Sequence, residues 1–190
     1  MGDNMHEKKL IYKLTITSLF LAIAFILPFF SGQIPEIGQM LCPMHIPILL
    51  CGFICGWKWG MMLGFITPIS RSLFLSAPPL YPSAIAMSFE LATYGFVAGL
   101  IYQILPKNKL NTYISLIISM IIGRIVWGIS MYILLNVKGK IFTFSSFIGG
   151  SLINAIPGIV IQFVFVPLII LAVEKNQRKS DYDNWCRLIL

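Results

Sequence analysis

Residues 10–30 carry one charge, Lys13, and are otherwise apolar or small. A helix of that length spans about 30 Å, the thickness of a bilayer's hydrocarbon core. A helix apolar on nearly every side has no stable place on the surface of a water-soluble domain. Comparable runs recur at 45–56, 59–76, 84–105, 110–135 and 147–173, the second being short and the third interrupted by Pro68 and Arg71. Charged residues make up 11% of the chain, where a soluble domain carries about 25%. Lipid must cover what they cannot. The sequence therefore predicts an all-α integral membrane protein: one membrane-embedded domain over residues 1–190, with six transmembrane helices in one bundle and a polar tail at 174–190. A cleaved leader is not expected, because the first apolar run is too long for one and Pro28-Phe29-Phe30-Ser31 offers no small-residue cleavage site.

The breaks between runs have their own chemistry. Residues 31–43 form a loop rich in Gly, Pro and Gln. Trp57-Lys58-Trp59 has the character of an aromatic belt with a snorkelling lysine. Pro78, Pro79 and Pro82 exclude a helix interior, and Pro106 to Lys109 is a tight polar turn. The net charge of +7 is distributed by these breaks. Lys8, Lys9, Lys13, Lys58, Lys107, Lys109, Lys175, Arg178, Lys179 and Arg187 fall on one side of a six-span plan, against Lys138 and Lys140 on the other. The positive-inside rule then puts both termini in the cytoplasm, and a nucleic-acid patch is the poorer account of the charge. Cys51 and Cys55 lie in an apolar run without the His or Cys partners of a zinc site, so the cysteines read as reduced packing thiols.

Charges inside a span are costly and mark functional candidates unless they are neutralised. Glu90 in the fourth run and Arg124 in the fifth are such charges. On the expected topology they lie about 9 and 16 Å below the outer surface, Trp127 lies at about 12 Å, and Asn154 in the sixth run at a similar level. Glu90 with Tyr94, and Arg124 with Trp127, each share a helix face. These residues either line a ligand pocket or form a structural ion pair with no ligand. Arg71 sits near the outer interface, where snorkelling to water explains it equally well. His45 reads as an interfacial or capping residue, and Gln33 and Gln39 either cover a pocket mouth or are solvated. Ser18 and Ala22 place two small residues on one face of the first helix, which lets another helix approach closely.

No G-x-S-x-G serine, H-E-x-x-H pair, paired-aspartate motif or P-loop is present, so an enzyme or a self-sufficient pump is not expected. No cofactor and no metal site is expected either. No internal repeat supports an inverted-repeat transporter. What remains is a membrane-embedded binder that borrows its energy. Residues 42–60 (CPMHIPILLCGFICGWKWG), with Gly64 to Arg71 (GFITPISR) and Ala84 to Tyr94 (AIAMSFELATY), resemble the substrate-binding S components of energy-coupling factor (ECF) vitamin transporters.

The resemblance implies a subunit of the bacterial cytoplasmic membrane. Such a subunit captures a vitamin from outside and topples within the membrane on a transmembrane coupling subunit driven by two ATPases. It implies that Ser18 and Ala22 contact the coupling subunit, and that the first loop caps an outer-half pocket formed by spans four to six. Arg71 and Arg124 against Glu90 make a net cationic site, which favours a carboxylate held by arginine and ranks pantothenate before folate, riboflavin or a queuosine precursor. The alternative of another class is a small structural or assembly protein with no ligand.

Overall fold

The computed structural model describes residues 2–31, 43–106, 108–139 and 156–189. The first loop with Gln33 and Gln39, and the start of the sixth run with Asn154, lie outside the described residues. Among the described residues the structure is helical: α1 (Gly2–Ile26), α2 (His45–Cys55), α3 (Trp57–Leu75), α4 (Ile85–Ile104), α5 (Lys109–Val137) and α6 (Ile156–Ile189). Among the described residues, four segments are long and apolar enough to cross a membrane: Leu10–Phe29, Leu80–Ile104, Lys109–Val137 and Ile156–Asn176. The 11 residues of α2 extend only about 16 Å, too short to cross alone. With Lys58, Thr67, Pro68 and Arg71 along its 19 residues, α3 has the length but falls short in hydropathy.

Helix ends follow local chemistry. Ser76 adopts φ 56°, just before Ala77-Pro78-Pro79, and closes α3. Leu105 is extended before Pro106, as a residue preceding proline prefers, and closes α4. Gly56, at φ 100°, turns α2 directly into α3, a conformation that costs any residue with a Cβ. Trp57, Lys58 and Trp59 therefore open α3 instead of forming a break, with the Lys58 ammonium 5.3 Å from the Trp57 ring centre. At the chain ends the sequence understates the helices. The polar residues before Leu10 belong to α1, and α6 runs on through Glu174 to Ile189, since no Gly or Pro stops it after Pro167.

The helix at the centre of the bundle is α4, packed most extensively against α3 and α5 and next against α2. Glycines allow the approach. A Cβ on Gly52 would stand 2.6 Å from the Gly95 carbonyl oxygen, and one on Gly60 would stand 2.7 Å from Gly52 Cα. One on Gly95 would overlap the Gly60 backbone itself. Backbone contact of this kind is how helices associate tightly where burial from water is not the driving force. Around it lies an apolar core that includes Phe20, Leu49, Phe53, Leu91, Leu116 and Val166. Hydroxyls along the helices are satisfied within their own helix: Thr67 donates to the Leu63 carbonyl at 2.6 Å and Ser88 to the Ala84 carbonyl at 2.7 Å, so they remain compatible with an apolar setting.

Much apolar surface is left outside this core. Leu73, Phe74, Ile104, Leu110, Ile129 and Leu168 are exposed. On α1, Phe20 and Ala24 face inward and the Thr17 hydroxyl lies 3.7 Å from Cys51 Sγ. The opposite face, with Leu14, Ser18, Ala22 and Ile26, is uncovered. A surface this apolar needs lipid or a protein partner against it.

Candidate ligand site

The glycine contact between α3 and α4 fixes which way α4 faces. Gly95 meets Gly60, and Glu90 and Tyr94, on the buried side of the same helix, point between α2 and α5. Glu90 is 1% exposed. Its Oε1 receives Arg124 Nη1 from α5 at 3.0 Å and the Tyr94 hydroxyl at 3.1 Å, and His45 Nε2 from α2 lies 3.6 Å away. The His45 and Tyr94 rings are 5.2 Å apart and tilted by 56°. Gly123, next to Arg124, makes this possible: a Cβ there would come within 2.6 Å of Tyr94 Cδ1.

The two charges that the sequence sets at one depth are thus in direct contact. A carboxylate cut off from water keeps its charge only with such partners. Arg124 and Tyr94 both direct donors at the one Oε1 atom, which fixes the carboxylate in place.

Arg71 is elsewhere. Its Nη1 donates to the Phe25 carbonyl at 2.7 Å, and its guanidinium lies 5.5 Å from the Phe29 ring centre, tying α3 to the C-terminal end of α1. The side chain is buried, so it does not reach water as a snorkelling residue would. Trp127 is half-buried, one turn along α5 from Arg124. Ser18 and Ala22 are exposed on α1, and the Ser18 hydroxyl donates to the Leu14 carbonyl at 3.0 Å. A cavity of about 490 Å³ opens between Lys109, Leu171, Ala172 and Lys175. Lying fifteen residues along α5 from Arg124, about 22 Å, it is unrelated to the Glu90 cluster. Among the described residues no group of His, Cys, Asp or Glu is disposed to hold a metal ion.

With that geometry in view, the comparison with known families is decisive. A family model described as ECF transporter, substrate-specific component, matches residues 12–171. The chain belongs to this family. No curated protein and no solved structure matches it. The match spans α1 to the apolar part of α6 and contains every residue of the Glu90 cluster. As an ECF substrate-specific component the protein is a transporter subunit, and with its apolar helices a multi-pass membrane protein; those helices give its exposed leucines and isoleucines a lipid environment.

Two residues of interest in this S component escape the sequence reading. His45 opens α2 and is 1% exposed, inside the cluster and not at an interface. Gln162 on α6 is 0% exposed, and among the described residues neither its Nε2 nor its Oε1 has a hydrogen-bond partner. A signal existed for Gln162: it falls on one stripe with Ile159, Val166 and Ile170, the inward face of an otherwise apolar helix.

Proposed function

We propose that this S component captures a vitamin or related micronutrient from the outer side of a bacterial cytoplasmic membrane and delivers it through a transmembrane coupling subunit driven by two ATPases. Six crossings with both termini in the cytoplasm give the most even account of the lysines and arginines, α2 and α3 crossing within the bundle where their polar groups are covered. The observation that carries the proposal is the Glu90 cluster, where side chains from α2, α4 and α5 converge on one buried carboxylate. Convergent polar groups in an apolar, aromatic setting are the usual form of a small-molecule site. Trp127, one turn from Arg124 on α5, extends that site; Asn154, Gln33 and Gln39, outside the described residues, are assigned to the ligand from the sequence alone, and Arg71 serves it only indirectly, by holding α3 to α1. Ser18 and Ala22 face the coupling subunit.

Charge alone ranks pantothenate first among the candidates. However, Arg71 is engaged at Phe25 and Glu90 opposes Arg124, so the excess of positive charge behind that order is reduced to a balanced pair. Folate, riboflavin and a queuosine precursor stand beside pantothenate as candidates.

The direct Glu90–Arg124 contact favours one competing reading, in which the pair is purely structural. Equilibrium dialysis of the purified protein against labelled pantothenate, folate, riboflavin and a queuosine precursor separates the two. At least one of these should bind the natural protein and bind the Glu90→Gln, Arg124→Met double variant far more weakly. Equal affinity in a stable double variant would remove both residues from the site.

A further inference from the structure

Gln162 sits where the capture site needs a reader of uncharged groups. Tyr102, near the end of α4, donates to a Glu174 carboxylate oxygen on α6. Twelve residues back along α4 is Glu90, and twelve back along α6 is Gln162. Lys109, at the start of α5, and Leu171, Ala172 and Lys175 on α6 line one cavity, and Ile159, Phe163, Val166 and Ile170 pack against the core that holds Leu91, Tyr94 and Leu116, so from that shared end α6 runs back into the bundle, antiparallel to α5 and parallel to α4. Glu90 and Gln162 therefore lie at one depth, each about 18 Å from the Tyr102–Glu174 tie.

Gln162 is fully buried on the helix face that carries Ile159, Phe163, Val166 and Ile170 into the core. Among the described residues, both halves of its amide lack a hydrogen-bond partner. In the same layer His45 Nδ1 is also buried without one. Buried polar groups in native proteins are nearly always paired, and an unmet one calls for an explanation. A stripe position that packing would fill with Leu or Ile instead carries a donor and an acceptor side by side.

On the basis of the capture function proposed above, we propose that Gln162 is a specificity-determining residue that reads a neutral donor–acceptor edge of the ligand: a lactam, an imide or a primary carboxamide. The match is one of hydrogen-bond chemistry. A primary amide offers an N–H beside a C=O, and an edge with the complementary C=O and N–H satisfies both at once. A carboxylate offers two acceptors and would set one of them against Oε1; an ammonium offers only donors and would leave Nε2 unmet. The charge balance of Glu90 with Arg124 agrees with a ligand whose recognised part is uncharged. Of the four candidates, folate, riboflavin and a queuosine precursor carry such an edge on a planar ring. The amide of pantothenate is trans, its N–H and C=O on opposite sides, and it can meet only one half of Gln162.

The test is equilibrium dialysis of the full chain, natural and with Gln162→Leu or Gln162→Glu, against labelled riboflavin, folate, a queuosine precursor and pantothenate, with a melting curve of each ligand-free variant. At least one ring compound should bind the natural protein, and either substitution should weaken it about 10- to 100-fold, the worth of a lost pair of buried hydrogen bonds. Gln162→Leu should melt no lower than the natural protein, since it removes an unpaired buried amide, so a loss of binding cannot be ascribed to unfolding. Unchanged affinity in Gln162→Leu, or binding of pantothenate alone, overturns the assignment and leaves the capture function standing. Binding of none of the four overturns the capture of these micronutrients and the assignment with it.

Discussion

Glu90 accepts from Arg124 and Tyr94 on the same oxygen, and His45 faces it from a third helix. Removing one member leaves a buried charge without its counterpart, the costliest outcome for an ion pair away from water. Glu90→Gln and Arg124→Met should each destabilise the protein by about 3–5 kcal/mol, while the double variant recovers most of that loss. Thermal melts of the purified variants followed by circular dichroism would show it; two independent, additive losses would mean the groups do not pair. Glu90 and Arg124 were legible in the sequence because a charge within an apolar run has few innocent explanations. His45 was not, because a histidine at the start of a short run has the same signature at an interface as in a core, and only the fold of α2 against α4 decides. Gln162 was passed over for another reason: it carries no charge, the mark by which Glu90 and Arg124 stand out in their runs.

At the scale of helices, the arrangement depends on backbone contact among α2, α3 and α4 at Gly52, Gly60 and Gly95. Gly95→Ala puts a methyl group into the Gly60 backbone, which unlike a side chain has no rotamer to yield with. The loss should reach or exceed the roughly 1–3 kcal/mol typical of overpacking, and should weaken ligand binding too, because Glu90 rides on the same helix. A melting temperature and an affinity both equal to those of the natural protein would contradict this packing. Helix ends marked by Pro78, Pro79 and Pro106 were readable from proline chemistry. The α2–α3 turn was displaced in the reading because Trp57 to Trp59 look like interface residues, whereas Gly56 alone supplies the positive φ that reverses the chain. The helical character of residues before Leu10 was missed, and that of residues after Val173 understated, because polarity marks the limit of a span, which need not be the limit of a helix.

For the whole molecule, apolar run length pointed to a multi-pass all-α membrane protein, and the helical structure and family membership agree with that much. What run length could not give is how α2 and α3, one short and one polar, are accommodated; that depends on being packed beside α4. The uncovered face of α1 carries Ser18 and Ala22 away from the Glu90 cluster. Ala22→Trp should therefore prevent assembly with the coupling subunit while leaving ligand affinity within about two-fold, a change of less than about 0.5 kcal/mol. Co-purification of the complex and dialysis of the isolated subunit measure the two effects; lost affinity with intact assembly would move Ala22 to the ligand side.

The central claim is that this subunit captures but does not drive. It is tested most directly by uptake into proteoliposomes that hold either this chain alone or the chain with the coupling subunit and ATPases of its own organism, supplied with ATP and the labelled compound that binds in dialysis. The chain alone should bind the compound without accumulating it, and the complete assembly should concentrate it inside in an ATP-dependent manner. ATP-dependent accumulation by the chain alone, or no accumulation by an assembled complex whose subunit binds the compound, would contradict the account.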